Sequence, residues 1–78
     1  MVEIDPEKFV ASVRDAFEQP PKSLAMSSLL RDLDGWDSLT SVMLVAEIYA
    51  DYGVHVSSEE LEACRTLHDL MSLVRSKI

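Results

Sequence analysis

The pair Asp37-Ser38 is the part of this sequence whose residue types could do chemistry. A serine hydroxyl can be a nucleophile or the acceptor of a transferred group, and here it follows the turn-forming residues 34–36 and precedes the apolar Leu39. This pattern predicts a helix that begins at Ser38, with the hydroxyl exposed. The unpaired amides and the dipole of a helix N-terminus stabilise a phosphate. A phosphodiester on Ser38 would therefore be well placed.

Two other interpretations of Ser38 stand beside that one. Cap statistics alone favour an ordinary helix-capping residue over a modified serine. A catalytic serine would need a positioned base, but His55 and His68 lie in separate late segments without a catalytic motif. We therefore expect that the protein is not an enzyme, and a small serine-dependent enzyme is the least favoured hypothesis.

The elements that must position Ser38 belong to a short, acidic chain. Its 78 residues are expected to form a single domain over residues 1–78. Seven Lys and Arg against fourteen Asp and Glu give a net charge of −7, which opposes nucleic acid and anionic membranes and favours basic partners. The first five residues have neither the basic nor the apolar region typical of a secretion signal, and no apolar run approaches about 18 residues, so no secretion signal is expected. We expect a cytoplasmic monomer with no membrane insertion.

Cys64 is the only cysteine, so an intramolecular disulfide is excluded. No Cys and His residues stand at the spacing of a zinc site, and no metal site is expected. The apolar neighbours Leu61 and Leu67 predict a buried structural thiol without a functional role.

The first half of the chain predicts one helix and a long connection. Asp5 before a proline is a helix start, and apolar residues follow at helical spacing until the prolines at 20 and 21 end the pattern. The predicted helix runs from Pro6 to Glu18. The connection from Gln19 to Asp37 is expected to hold one short helical turn near Ser27 to Leu30.

The second half predicts three more helices. The second helix begins at Asp37-Ser38 and ends at Gly53. Ser57 is predicted to cap a short third helix over Ser58 to Ala63. Thr66 is predicted to cap a final amphipathic helix. The expected fold is all-α: a small four-helix bundle of three longer helices and one short one, with a long connection between the first and second helices.

The second helix is predicted to be central, because its apolar positions cover more than one stripe. Replacement of either Val42 or Leu44 by aspartate is therefore expected to unfold the protein. Some of these positions could also line a cavity. The apolar positions are Leu39, Val42, Leu44, Val45, Ile48 and Tyr52, and the candidate cavity residues are Leu44, Val45, Ala46 and Ile48.

Several parts of the chain together resemble the acyl carrier protein family. They are the triplet Asp37-Ser38-Leu39, the apolar positions after it, and the segments Ser57–Leu61 and Arg65–Leu70. The resemblance covers nearly the whole chain. It implies that a phosphopantetheinyl transferase, using magnesium, moves 4'-phosphopantetheine from coenzyme A onto Ser38, and that Asp37, Ser38 and Leu39 form the cofactor-binding site. Asp37 would help the transferase recognise the site, would simply cap the helix, or would do both. The thiol of this arm would carry acyl groups as thioesters between acyl-activating, condensing or acyltransferase enzymes, at raised effective concentration.

The second helix departs from that family's fatty-acid-synthesis members, which carry several acidic residues along it. Thr40, Met43, Tyr49 and Ala50 stand at such places here, and only Glu47 and Asp51 remain. Docking by basic partners should be weaker and apolar contact greater. The predicted partner-binding residues are Trp36, Thr40, Met43, Glu47 and Asp51, with core packing as the favoured role of Trp36.

The resemblance implies a carrier in a dissociated biosynthetic pathway for fatty acids, polyketides or related products. The departure predicts a specialised pathway, such as one for a secondary metabolite or for the modification of a lipid or polysaccharide. Two alternatives remain open: an amino-acyl or peptidyl carrier, and an unmodified helical adaptor that binds a partner through Met43 and the acidic surface.

Overall fold

The computed structural model describes residues 4–78, which form four α-helices. They are α1 (Pro6–Asp15), α2 (Ser38–Tyr52), α3 (Ser58–Ala63) and α4 (Leu67–Lys77). Between residues 4 and 78 there is no strand, only an isolated bridge between Leu29 and Thr66. The predicted all-α class and small helical bundle are confirmed.

The helix α1 begins as predicted and ends earlier than predicted. The carboxylate of Asp5 accepts the Glu7 amide at 2.9 Å and caps the helix. At the other end, the amides of Ala16 and Phe17 bond three residues back, which tightens the last turn and stops the helix at Asp15. Phe17 then turns into the core, so the prediction that the helix continues to Glu18 was wrong.

Only one side of α2 faces the core. Its buried positions are Thr40, Leu44 and Ile48, and the helix ends at Gly53 in the left-handed region with φ 68°. Val42 is 65% exposed and Leu39 is 66% exposed. A residue two positions from Leu44 lies about 200° around the helix from it, which places Val42 on the far side. The prediction that Val42 belongs to the core was therefore wrong.

Reciprocal capping boxes begin α3 and α4, as their sequences predict. Ser57 accepts the Glu60 amide at 3.1 Å while Glu60 accepts the Ser57 amide at 3.0 Å. Thr66 and Asp69 repeat the arrangement at the start of α4. Because each box satisfies two amides locally, the short helix α3 has a defined beginning.

The long connection before α2 is attached to the turn between α3 and α4 by backbone hydrogen bonds. The Leu30 amide donates to the Arg65 carbonyl at 2.8 Å, and the His68 amide donates to the Met26 carbonyl at 2.9 Å. Its helical turn is a 3₁₀ helix at Leu30–Asp32, later than predicted. These bonds hold the segment that leads into Ser38 against the body of the bundle.

The core gathers one cluster of buried apolar side chains from all four helices and the connection. Its fully buried larger members are Phe9, Val13, Leu30, Leu44, Ile48, Val56, Leu67, Leu70 and Val74. Cys64 lies at its edge, where its thiol contacts the Glu60 carbonyl at 3.4 Å. Burial raises the pKa of this thiol, which suits a structural residue.

An ion pair between α3 and α4 makes a testable contribution to acid stability. Lys77 Nζ lies 2.7 Å from Glu60 Oε2, and this contact, followed by the Ser57 amide, lowers the pKa of Glu60 from 4.5 to about 2. A carboxylate with a depressed folded-state pKa stabilises the fold above its unfolded pKa. That contribution is lost as pH falls from about 4.5 to about 2.

We therefore expect Lys77→Met to raise the pKa of Glu60 toward its usual value and to make unfolding less sensitive to acid. The free-energy difference between wild type and variant should be present at neutral pH and vanish near the lowest pH of that range. Lys8→Met on α1 is the control of equal charge change. Denaturant titrations at several pH values measure the free energy of unfolding of each variant. A difference between wild type and Lys77→Met that does not change with pH would contradict this prediction.

Candidate functional site

Ser38 is the first residue of α2, and its side chain is exposed. The helix is capped by Asp37, whose Oδ1 accepts the Thr40 amide at 2.8 Å. The Thr40 amide, and then the Thr40 side chain, hold the pKa of Asp37 below its usual value. No hydrogen bond within residues 4–78 involves the Ser38 hydroxyl, because the capping role belongs to its neighbour. The hydroxyl is thus available to an approaching reagent.

The turn before Ser38 has a fixed geometry. Gly35 has φ 84°, in the left-handed region that strains other residues, and its carbonyl accepts the Thr40 hydroxyl at 2.8 Å. The Trp36 amide donates to the Leu33 carbonyl at 3.1 Å, and the Trp36 ring lies 6.3 Å from that of Phe17. Contacts on both sides of the turn therefore set the position of the serine.

A cleft of about 640 Å³ opens between α2 and α3 beside Ser38. Its apolar lining is formed by Leu30, Val42, Val45, Val56 and Leu61. Of the four residues predicted to line a cavity, only Val45 does so. Leu44 and Ile48 are fully buried in the core, and Ala46 is exposed on the outer face of α2. The cleft has room for a short apolar group against these side chains, and polar residues such as Arg31 and Glu62 also line it.

His55 lines the same cleft as Ser38, although seventeen residues separate them. No local sequence pattern predicts this, because the tertiary fold brings the loop after α2 and the start of α2 to one cleft. Within the described part of the chain no hydrogen bond joins the two side chains, and His68 is not among the residues of the cleft. A hydrogen-bonded Ser-His pair, the arrangement used in nucleophilic catalysis, is not formed here.

The predicted partner-binding residues occupy different surroundings. Met43 is 49% exposed, and Asp51 is also exposed but accepts the Ser12 hydroxyl of α1 at 2.6 Å. Trp36 is half-buried and packs against the core, the role favoured for it. Thr40 is largely buried beneath the turn and its hydroxyl donates to the Gly35 carbonyl, so its place in a partner-binding surface stays a prediction.

Glu47 lies at the seam between α1 and α2. Burial, then the charges of Asp51 and Asp15, raise the pKa of its carboxyl. Carboxylates from both helices are therefore close enough to repel one another. Acidic charge beside α2 comes partly from α1, which the sequence of α2 alone does not reveal.

The part of the chain described by the structure contains no group of three or more His, Cys, Asp or Glu that could hold a metal ion. Within residues 4–78, no helix has both the length and the apolar character that a membrane span needs.

Comparison with known proteins agrees with this geometry. A family model described as the phosphopantetheine attachment site matches residues 7–74. An acyl carrier protein from Thermosynechococcus vestitus is 33% identical over 73 residues, which cover 92% of this chain and 89% of that protein. The chain belongs to the acyl carrier protein family, whose members bear a phosphopantetheine group.

The cofactor of this family is covalently attached 4'-phosphopantetheine, and the residues of this chain fit it. The Ser38 hydroxyl is exposed and unbonded, since Asp37 caps the helix. The cleft that begins at Ser38 offers room for a group carried by the arm. When bound, the cofactor supplies a thiol that holds an acyl group as a thioester. Proteins of this kind have a carrier role and are non-catalytic.

Proposed function

We propose that Ser38 is the attachment residue, and that the protein carries acyl thioesters between separate enzymes of a dissociated biosynthetic pathway without catalysing a reaction itself. One observation supports this most: the exposed hydroxyl of Ser38, which does not cap the helix, lies at the N-terminus of α2 beside the cleft.

The modification requires little of the chain beyond an accessible Ser38 hydroxyl and a positive helix N-terminus near the phosphate. The Ser38 oxygen forms a bond to the phosphorus that carries the pantetheine of coenzyme A, the bond to adenosine bisphosphate breaks, and the hydroxyl proton leaves to a base of the transferase. Neither oxidation nor reduction takes place. The N-terminus of α2 then stabilises the phosphodiester anion, while Asp37 keeps the first turn in place.

The lining of the cleft supports an acyl cargo over an amino-acyl cargo. Side chains such as Val45, Val56 and Leu61 favour an alkyl chain that leaves water. An ammonium group gains nothing from these three apolar side chains, so an amino-acyl cargo would depend on the carboxylates of Asp37 and Glu62 elsewhere in the lining. The proposed cargo is therefore an acyl chain, held by the cleft between deliveries.

The exposed face of α2 supports a specialised pathway. Leu39, Val42, Met43 and Tyr49 are all exposed apolar side chains on this helix. Acyl-activating, condensing or acyltransferase partners would meet this face with apolar groups, and fewer charge pairs would contribute than on an acidic helix. The same exposed face also favours a second candidate, an unmodified adaptor, which would keep its full function after Ser38→Ala.

The cleft proposal is tested with octanoyl-coenzyme A as the loading reagent. The octanoyl thioester on the wild-type carrier should react several-fold more slowly with hydroxylamine than the same thioester on Val45→Phe, because the larger side chain fills the cleft. Ala46→Phe, on the outer face of the same helix, is the matched control and should retain protection.

Amide NMR signals of Val42 and Leu61 should shift on octanoyl loading in the wild type and not in Val45→Phe. Equal hydroxylamine rates for wild type, both variants and octanoyl-pantetheine in solution would show that the cargo stays outside the cleft.

A further inference from the structure

Arg31 is the only Lys or Arg among the described residues that line the cleft beside Ser38. It belongs to the 3₁₀ helix Leu30–Asp32, in the connection that leads into α2. The side chain is exposed, while the backbone before it is held by the 2.8 Å hydrogen bond from the Leu30 amide to the Arg65 carbonyl. A permanently charged group therefore has a defined place in the cleft.

The Arg31 guanidinium has few partners within the protein. Its Nη2 lies 3.5 Å from the carbonyl oxygen of Glu62, near the end of α3, which is longer than an ordinary hydrogen bond. Over the described residues the only ion pair is the one between Glu60 and Lys77, so no carboxylate among them pairs with Arg31. A guanidinium has several N–H donors in a planar fork, and most of them are left for a ligand.

A phosphodiester on Ser38 would bring a negative charge into this cleft beside a carboxylate. Asp37 precedes Ser38 and also lines the cleft. The Thr40 amide holds the pKa of Asp37 below its usual value, so this carboxyl is charged at neutral pH. The N-terminus of α2 offsets part of the repulsion. A cation close by offsets more of it, and Arg31 is the cation of fixed charge in the cleft.

The position of Arg31 would determine the direction of the arm. Ser38 begins α2, whereas the Arg31 guanidinium reaches the carbonyl of Glu62 on α3. The helices α2 and α3 form opposite walls of the cleft. A phosphate that is attached to the first wall and paired with a cation at the second lies between them. The rest of the arm then starts beside the apolar lining.

We propose that Arg31 is a positioning residue for the arm: its guanidinium pairs with the phosphodiester on Ser38 and turns the arm toward α3, so that the acyl group enters the cleft. Guanidinium and phosphate suit one another because parallel N–H donors match the phosphate oxygens. This inference rests on the proposed attachment at Ser38. It gives the connection before α2 a charged side chain that acts in the site.

The test compares the whole chain of wild type, Arg31→Gln and Arg31→Lys, each loaded with octanoyl-coenzyme A by a broad-specificity transferase. In phosphorus NMR, the phosphodiester signal of the folded wild type should differ from that of the same protein unfolded in urea. Arg31→Gln should move the signal toward the unfolded value. Arg31→Lys should keep part of the difference, because it retains the charge without the paired donors.

The octanoyl thioester of Arg31→Gln should also react with hydroxylamine about two- to fivefold faster than that of the wild type, which is the effect of one lost exposed ion pair. Salt at about 1 M should remove the difference.

Arg65→Gln is the matched control, because it removes one positive charge from an exposed side chain that does not line the cleft. It should leave the phosphorus signal and the hydroxylamine rate as they are in the wild type. Circular dichroism confirms that each variant is folded.

If the wild type carries the arm and the phosphorus signal of Arg31→Gln matches that of Arg65→Gln, the positioning proposal is wrong and the attachment proposal stands. If the wild type receives no arm from a transferase that is active on another carrier, both are wrong. An unchanged phosphorus signal together with faster loss of a glutaryl thioester, and not of an octanoyl one, would assign Arg31 to a carboxylate of the cargo and overturn the proposal.

Discussion

Replacement of Ser38 by alanine is expected to abolish the addition of phosphopantetheine completely. The arm can be esterified only to a hydroxyl, and Ser38 is the exposed, unbonded one at the head of α2. Because Asp37 caps the helix, the variant should keep its fold. Incubation with coenzyme A and an active transferase, followed by intact mass measurement, should show one added group on the wild type and none on Ser38→Ala.

Ser41→Ala is the matched control for this prediction. Ser41 lies one turn further along α2 and also lines the cleft, but its hydroxyl donates to the Ser38 carbonyl at 2.8 Å. This variant should be modified in full. An arm on folded Ser38→Ala, or loss of modification in Ser41→Ala alone, would show that the attachment residue has been assigned wrongly.

Replacement of Leu44 by aspartate is expected to unfold the protein. Leu44 is 0% exposed at the centre of the core, and an unpaired carboxylate there should cost several kcal/mol. A domain this small has a total stability of only about 5–10 kcal/mol. Thermal circular dichroism should show that the cooperative transition is lost or lies far below that of the wild type.

Val42→Asp is the control, because the same substitution falls on the same helix at a side chain that is 65% exposed. Its effect on the free energy of unfolding should stay within about 1 kcal/mol. A wild-type-like transition for Leu44→Asp, or unfolding caused equally by both variants, would mean that the core face of α2 is misplaced.

The helix beginnings could be predicted from the sequence because their causes are local. Asp5, Ser57 and Thr66 each bind an amide no more than three residues away, so a short stretch of sequence contains the whole signal. The end of α1 could not be predicted in this way. Phe17 leaves the helix to pack near Trp36, and that contact depends on a residue nineteen positions later.

The side of α2 that packs against the core could not be predicted, because the spacing of apolar residues does not distinguish buried positions from exposed ones. Leu39 and Val42 are apolar and exposed, and they widened the apparent stripe around the helix. The exposed Met43 was recognised as a surface residue only because it fell off that stripe.

The surroundings of Ser38 depend on contacts between distant segments. The bond between Leu30 and Arg65 and the return of His55 to the cleft are tertiary features, and no local pattern encodes them. The serine itself was predictable because its helix start is local. The cleft was not, since it needs two elements brought together.

The two sides of α2 border different cavities. The side toward α3 borders the cleft that contains Ser38, and the side toward α1 borders a groove that contains Asp37 and Leu39 but not Ser38.

The central claim is that Ser38 carries the arm in the living cell, and peptide mass spectrometry of the protein purified from its native source tests it most directly. Trypsin should release residues 32–65 as one peptide, because no Lys or Arg lies between Arg31 and Arg65. Fragment ions should place one phosphopantetheine on Ser38, with any further mass removed by hydroxylamine as a thioester. A peptide with unmodified Ser38 throughout, or an arm on another residue, would contradict the claim.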